Sequence, residues 1–102
     1  MGGNSSNIMK PAEIKSEKTV VVYGSDNCPY CFKVKKIFEE LNVQIDYRNV
    51  DENKNYDEEK QKLMTHLKYD TIPLVFIKNE FIGGCSSVKE LEAKGELLKK
   101  VQ

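Results

Sequence analysis

The feature that most constrains this chain is a strand pattern that turns directly into a helix pattern. Residues 19–23 form a β-branched and aromatic run that is closed by Gly24, which predicts a buried strand. From Pro29 onward the apolar side chains fall at helical spacing and predict an amphipathic helix; they are Tyr30, Val34, Ile37, Phe38 and Leu41. A strand joined this closely to a helix predicts an α/β chain.

A second strand–helix unit and a hairpin follow. Residues 45–50 alternate as a strand does, and the next helix is predicted from an apolar stripe of Tyr56, Leu63, Met64 and Leu67. Residues 74–77 and 81–84 flank a short polar turn, which predicts two antiparallel strands. Because crossover helices join parallel strands and a hairpin joins antiparallel ones, the predicted fold is a four-stranded mixed sheet flanked by helices, the thioredoxin-like arrangement.

Local signals predict the ends of the remaining helices. The last helix is expected to begin at Ser87, an N-cap that forms a capping box with Glu90. It is expected to kink or split at Gly95. A short additional helix is expected near the N-terminus, over residues 11–18.

Length and composition narrow the classes of function. The 102 residues suit one domain, which we assign to residues 10–102 after a flexible polar tail at residues 1–9. Lysine and arginine total 16, as do aspartate and glutamate, so no net charge would draw the protein to nucleic acid. The sequence has no apolar run long enough for a membrane span and no signal-peptide pattern, so the expected location is the cytoplasm.

Two cysteines stand at the junction of the first strand and the first helix. Proline is favoured at the first helical position, so Pro29 makes Cys28 the predicted N-cap. There the amides of the first turn and the helix dipole stabilise a thiolate, so Cys28 is the predicted nucleophile. Cys31 lies one turn further along the helix and is predicted to be the less exposed, resolving thiol.

Zinc binding is the alternative use of these cysteines. Cys85 and His66 would complete a set of four ligands with Cys28 and Cys31. Structural zinc sites usually take their cysteines from loops, whereas this pair opens an amphipathic helix. Redox chemistry is therefore favoured, and no metal is expected.

Three short motifs occur in order along the chain: Cys28-Pro29-Tyr30-Cys31 at the first strand–helix turn, Thr71-Ile72-Pro73 before the third strand, and Gly83-Gly84-Cys85-Ser86 after the fourth. In their order and spacing these motifs resemble those of a dithiol glutaredoxin, within the thioredoxin-fold superfamily. The resemblance runs from about residue 18 to the C-terminus.

The resemblance implies an enzyme, a glutathione-dependent thiol–disulfide oxidoreductase that reduces protein–glutathione mixed disulfides and protein disulfides. Cys28 would take glutathione from a mixed disulfide and be released by a second glutathione, and Cys31 would resolve protein disulfides. Glutathione is then a co-substrate, glutathionylated or disulfide-bonded proteins are the partners, and glutathione reductase takes part indirectly. The protein is expected to act as a monomer.

The resemblance also implies a glutathione-binding set. Its residues are Tyr30, Gln61, Thr71, Ile72, Pro73, Gly84, Cys85, Ser86 and Ser87. A cis-proline at Pro73 would bring the backbone of Ile72 alongside the cysteine of glutathione, like an added strand. The amides of Cys85 and Ser86, at the start of the last helix, would hold the γ-glutamyl carboxylate.

The chain departs from the family pattern near the nucleophile. The lysine that is usual three residues before it is replaced by Ser25, and the acidic Asp26 follows. Ser87 stands where an aspartate is usual, and the loop before Thr71 is one residue shorter. Loss of a cation and gain of an anion predict a Cys28 pKa below that of a free thiol but above that of relatives with the lysine.

A second function class stays open beside the enzyme. In a non-enzymatic iron–sulfur carrier, two copies of the chain and two glutathiones would hold one [2Fe–2S] cluster through Cys28. Pro29 favours catalysis, because cluster-binding relatives commonly have glycine or serine in this turn.

The N-terminus offers a possible modification site. Met1-Gly2 with Ser6 fits the pattern for N-myristoylation of Gly2, and the alternative is an unmodified flexible tail. A single acyl chain would give reversible membrane attachment.

Overall fold

The computed structural model describes residues 14–102 of the chain. In chain order its strands and helices are β1 (Val20–Gly24), α1 (Pro29–Glu40), β2 (Ile45–Asn49), α2 (Lys54–Leu67), β3 (Leu74–Ile77), β4 (Glu80–Gly83), α3 (Cys85–Ala93) and α4 (Leu97–Val101). The tail predicted at residues 1–9 and the acylation site at Gly2 lie outside the described residues.

The strands form one mixed sheet in the order β2-β1-β3-β4. β1 runs parallel to β2 and antiparallel to β3, and β4 pairs antiparallel with β3. The parallel pair is joined by α1, and its register sets Gly24 opposite Asn49, so both strands end at the same edge of the sheet. The predicted four-stranded, thioredoxin-like sheet is confirmed.

Side chains from both faces of β1 are buried, which is why this strand reads as a continuous apolar run. On one face the sheet packs with α1, α3 and α4 through Val20, Val22, Val34, Ile37, Phe38, Val75, Ile77, Cys85, Val88 and Leu97. On the other face lie Val21, Tyr23, Leu74 and Phe76, partly covered by Leu63, Met64 and Leu67 of α2. Within residues 14–102, no helix is long and apolar enough to cross a membrane.

The segment before β1 differs from the prediction. Residues 14–18 form no helix, so the prediction for residues 11–18 is wrong over that part, and residues 11–13 lie outside the described range. The Ser16 hydroxyl donates to Asp46 of β2 at 2.7 Å, and the Arg48 guanidinium donates to the Lys15 carbonyl. The Ser16 hydroxyl and the Lys15 carbonyl therefore form hydrogen bonds with β2 and not within a helical turn.

The last helix begins earlier than predicted. α3 starts at Cys85 with Gly84 as its N-cap, so Ser87 lies within the first turn and is not the cap. Gly83 explains the shift: its φ of +127° turns the chain at the end of β4, and a Cβ on it would lie 2.9 Å from that of Ser87. Gly95, at φ +71°, separates α3 from α4, which confirms the predicted split.

Candidate active site

Cys28 lies where β1 passes into α1. It is the N-cap, with φ −124° and ψ 104°, and Pro29 is the first helical residue. Its Sγ accepts a hydrogen bond from the backbone N–H of Cys31 at 3.2 Å. Cys28 therefore occupies its predicted place, where a negative charge on sulfur faces the free amides of the first helical turn.

Cys31 stands directly behind Cys28. Their sulfur atoms lie at disulfide-bonding distance, and their Cα atoms are 5.2 Å apart. Cys28 is half-buried, whereas Cys31 has no exposed surface. An external disulfide can therefore reach Cys28, and Cys31 can reach only the sulfur of Cys28.

The second motif lies beside Cys28, although the two are 44 residues apart in the chain. The Ile72–Pro73 peptide is cis, and the Ile72 carbonyl oxygen is 4.0 Å from Cys28 Sγ. Pro73 is buried, Ile72 is half-buried and Thr71 is exposed. The backbone at Ile72 is therefore accessible to a molecule bound at Cys28.

The third motif packs against the second. A Cβ on Gly84 would lie 3.4 Å from the Pro73 carbonyl oxygen and 2.8 Å from the Tyr69 hydroxyl, so a larger residue there would displace the Tyr69 side chain. The amides of Cys85 and Ser86 belong to the first turn of α3, where the helix supplies no acceptor for them. The Cys85 thiol is free and buried, so this motif presents backbone donors and not a third reactive thiol.

Exposed aromatic side chains stand on both sides of Cys31 in the sequence. Tyr30 is 58% exposed and Phe32 is 65% exposed. The Lys33 ammonium lies 5.3 Å from the centroid of the Tyr30 ring, within the range of a cation–π contact. The first turn of α1 thus presents exposed aromatic surface, with a cation over the Tyr30 ring, directly after the nucleophile in the chain.

Gln61 lies on α2, away from the cysteines in sequence. It is exposed, and its amide donates to the Asp57 carboxylate at 3.4 Å. Together with Lys60 it lines a depression of about 320 Å³ that extends to Asp70, the residue before Thr71. Lys60 also binds Asp57, at 3.1 Å. The predicted residue therefore lies in a depression that is lined by a cation and reaches the residue before the second motif.

A group of residues at the end of β2 was not predicted from the sequence. Three side chains hydrogen-bond to residues 25–27, the loop that leads into Cys28 and that we call the presenting loop: they are Tyr47, Asn49 and Asp51. The signal that could have found them is the parallel pairing of β1 and β2, which brings the ends of the two strands together.

The carboxylate of Asp51 binds the presenting loop. Hydrogen bonds from the Ser25 hydroxyl and the Asp26 amide lower the pKa of Asp51. Burial and the carboxylates of Asp26 and Asp51 raise the pKa of Tyr47, which therefore stays a neutral hydrogen-bond donor. The loop carries negative charge at the place where the family resemblance leads one to expect a lysine.

The side chains that were considered as zinc ligands lie on different layers of the fold. Cys85 belongs to the cluster on the α1 face of the sheet, whereas His66 is on α2, which packs on the opposite face. Among residues 14–102, no group of three or more His, Cys, Asp or Glu side chains is arranged to hold a metal ion. Cys28, Cys31, Cys85 and His66 therefore do not converge on one point.

Comparison with known proteins agrees with the family resemblance and with the fold. The family model described as Glutaredoxin matches residues 20–82. Glutaredoxin 1 of Rickettsia conorii is 36% identical over 80 residues, which cover 78% of this chain and 76% of the relative. Buckwheat glutaredoxin, in a crystal structure of its glutathione complex, is 28% identical with a TM-score of 0.78, covering 96% and 84% of the two chains. The holo form of glutaredoxin C1 from Populus tremula x tremuloides is 30% identical with a TM-score of 0.81, covering 96% and 88%. The chain therefore belongs to the glutaredoxin family, whose members are thiol–disulfide oxidoreductases.

Proposed function

We propose that this protein is a glutathione-dependent oxidoreductase that reduces protein–glutathione mixed disulfides and protein disulfides. The observation that carries the proposal is the position of Cys28, an accessible sulfur at the N-terminus of α1, 4.0 Å from the Ile72 carbonyl and backed by Cys31. The glutathione complex of the buckwheat relative supports glutathione as the co-substrate.

Reduction of a mixed disulfide needs only Cys28. Its thiolate attacks the glutathione sulfur, forms a Cys28–glutathione disulfide and releases the substrate protein as a thiolate, which takes a proton from water. The thiolate of a second glutathione then attacks the bound glutathione sulfur. This step releases glutathione disulfide and returns Cys28 as a thiolate.

Reduction of a protein disulfide uses both cysteines. Cys28 attacks one substrate sulfur and forms a mixed disulfide with the protein, and the other substrate sulfur leaves as a thiolate. The thiolate of Cys31 then attacks Cys28, which releases the reduced protein and leaves the Cys28–Cys31 disulfide. Two glutathiones return this disulfide to the dithiol. The buried position of Cys31 suits it to this internal step.

Glutathione would lie across the three motifs. Its cysteine backbone would pair with that of Ile72, which the cis bond to Pro73 joins to the start of β3. Its γ-glutamyl carboxylate would accept from the amides of Cys85 and Ser86. Its glycyl end would extend toward the depression beside Gln61.

The test is turnover of a glutathione mixed disulfide, coupled to glutathione reductase, in the wild type, Cys28→Ser and Cys31→Ser. We expect Cys28→Ser to abolish turnover and Cys31→Ser to retain it, because a second glutathione performs the release. Equal loss in both variants would restrict the activity to protein disulfides. A wild type without turnover would overturn the proposal.

The same preparation tests the iron–sulfur carrier. A shared [2Fe–2S] cluster would give the freshly expressed protein visible absorbance and the mass of a dimer, and Cys28→Ser would remove both. Such a result, in a wild type without turnover, would favour the carrier over the enzyme.

A further inference from the structure

The presenting loop is held by a side chain from a distant part of the sequence. The Oδ2 atom of Asp51 accepts a hydrogen bond from the Ser25 hydroxyl at 2.5 Å and another from the Asp26 backbone N–H at 3.0 Å. The Ser25 oxygen in turn accepts from the Asn27 backbone N–H at 3.2 Å. One carboxylate oxygen therefore holds the loop directly at two residues and indirectly at the third.

Neighbouring groups fix Asp51 and the loop to the end of β2. The Asn49 side chain accepts from the Asp51 backbone N–H at 2.9 Å and donates to the Asp26 carboxylate at 2.6 Å. The Tyr47 hydroxyl donates to the Ser25 carbonyl at 3.1 Å. Because β2 pairs with β1 along its whole length, these contacts tie the loop to a rigid part of the sheet.

The loop matters because it leads directly into the nucleophile. On its C-terminal side, Cys28 is fixed by α1 through the amide of Cys31, and on its N-terminal side by the presenting loop. Attack on a disulfide requires the sulfur to approach along the axis of the bond that breaks. A misplacement of about 1 Å can cost a reaction about a hundredfold in rate.

We infer that Asp51 is a positioning residue: through the Ser25 hydroxyl and the Asp26 amide it holds the presenting loop so that Cys28 meets the substrate disulfide in line. The inference rests on the oxidoreductase activity proposed above. Asp51 acts on Cys28 only through the loop, and no contact of its carboxylate with the substrate is required.

Two substitutions at Asp51 separate position from charge. Both contacts to the loop use the same oxygen, so Asp51→Asn can keep an acceptor at that point while it removes the charge. Asp51→Ala removes the acceptor and the charge together. Glu52→Ala is the matched control, because it removes one negative charge from the next residue of the same exposed turn.

Amide hydrogen exchange measured by NMR reports on the loop directly and does not depend on catalysis. In Asp51→Ala we expect the Asp26 amide to exchange about tenfold faster, and kcat/KM for a glutathione mixed disulfide to fall about tenfold. Asp51→Asn should stay within about threefold of the wild type in both measurements. Glu52→Ala should match the wild type.

Three results would overturn the inference. They are unchanged exchange in Asp51→Ala, an equal effect of Glu52→Ala, and a loss of turnover in Asp51→Asn as large as in Asp51→Ala, which would assign the effect to charge. A wild type without turnover would overturn the proposed function instead, and the exchange of the Asp26 amide would still decide whether Asp51 holds the loop.

Discussion

Cys28 accepts a hydrogen bond from the amide of Cys31, while the residue three positions before it is the neutral Ser25. Ser25 uses its hydroxyl to bind Asp51, so this position contributes loop geometry in place of a positive charge. The backbone amides at the start of α1 are then the main support for a thiolate on Cys28. Ser25 and Asp51 therefore order the loop, whereas the backbone amides of α1 stabilise a negative charge on the Cys28 sulfur.

Replacement of Ser25 by lysine should show how much a positive charge at this position adds to the effect of the backbone amides on Cys28. We expect Ser25→Lys to lower the pKa of Cys28, because a nearby cation favours the thiolate. The measurement is a titration of thiolate absorbance in the reduced protein. Ser16→Lys is the matched control, since the Ser16 hydroxyl also binds a carboxylate, that of Asp46, at the other end of β2. No downward shift in Ser25→Lys, or the same shift in both variants, would contradict the electrostatic argument.

At the scale of secondary structure, the junction between β4 and α3 depends on one backbone conformation. Gly83 has a φ of +127°, which a residue with a side chain rarely adopts, and a Cβ there would meet the side chain of Ser87. After this turn comes Gly84, the N-cap of α3, where a Cβ would lie 3.4 Å from the Pro73 carbonyl oxygen. The turn therefore places the proposed carboxylate-binding amides as well as ending the strand.

Alanine at this junction should therefore cost stability. We expect Gly83→Ala to lower the free energy of unfolding by about 2–3 kcal/mol, because it combines a strained φ with a steric contact. Gly95→Ala is the comparison, since Gly95 also has a positive φ of +71° but open space around it, and it should cost about 1 kcal/mol. Denaturant unfolding measures both. Equal losses of unfolding free energy in the two variants would show that the contact with Ser87 adds nothing to the cost.

The elements themselves could largely be predicted from local patterns. Cys28 and Cys31 fell where expected, because a buried strand, a proline and helical spacing are signals that neighbouring residues supply. The start of α3 could not be placed this way. The capping box at Ser87 is a local signal too. The chain nevertheless turns at Gly83, which has a positive φ, so the helix begins at Cys85, two residues before Ser87.

At the scale of the whole molecule, a buried arginine joins the sheet to α2. Arg48 of β2 is 7% exposed and donates to the Tyr23 hydroxyl at 3.0 Å, to Glu59 at 2.9 Å and to Asp46 at 3.1 Å. Burial and the hydrogen bond to Glu59 raise the pKa of Tyr23, so its neutral hydroxyl also donates to Glu59, at 2.7 Å. Because α2 has no fully buried residue, this polar cluster adds to the partly buried Leu63, Met64 and Leu67 in attaching the helix to the sheet.

Loss of the arginine should therefore destabilise the protein. We expect Arg48→Met to lower the free energy of unfolding by about 2 kcal/mol, because it leaves the buried Tyr23 hydroxyl and the partly buried carboxylates of Asp46 and Glu59 without their donor. Lys94→Met is the matched control: it breaks an exposed pair with Glu90 at 3.5 Å and should cost at most about 0.5 kcal/mol. Urea unfolding compares the two, and similar values would contradict the role given to the cluster.

Acid should weaken the same cluster. Burial opposes the charge on Asp46, but hydrogen bonds from Ser16 and Arg48 outweigh it and lower the pKa of Asp46. Because the folded pKa is the lower one, ionised Asp46 stabilises the fold at neutral pH, and this contribution is lost as the pH falls through the folded pKa. In Asp46→Asn, stability should fall less steeply than in the wild type below about pH 4. Parallel stability curves for the two proteins would contradict this.

Contacts of this kind lie beyond what the sequence could predict. Arg48 appears there as an ordinary polar residue in a strand, and Asp51 as part of a polar turn. Tyr23, a partner of Arg48, and Ser25, a partner of Asp51, come within reach only when β1 and β2 pair in parallel, in a register that the folded sheet determines. The residues that were missed are therefore those whose roles depend on contacts between segments far apart in the sequence.

The different burial of the three thiols has a practical consequence for chemical labelling. Cys28 is half-buried, while Cys31 has no exposed surface and Cys85, the first residue of α3, is 7% exposed. A bulky maleimide added briefly to the reduced protein should attach at one position, although the chain carries three cysteines. A fluorophore or spin label could thus be installed at Cys28 without removing the other two.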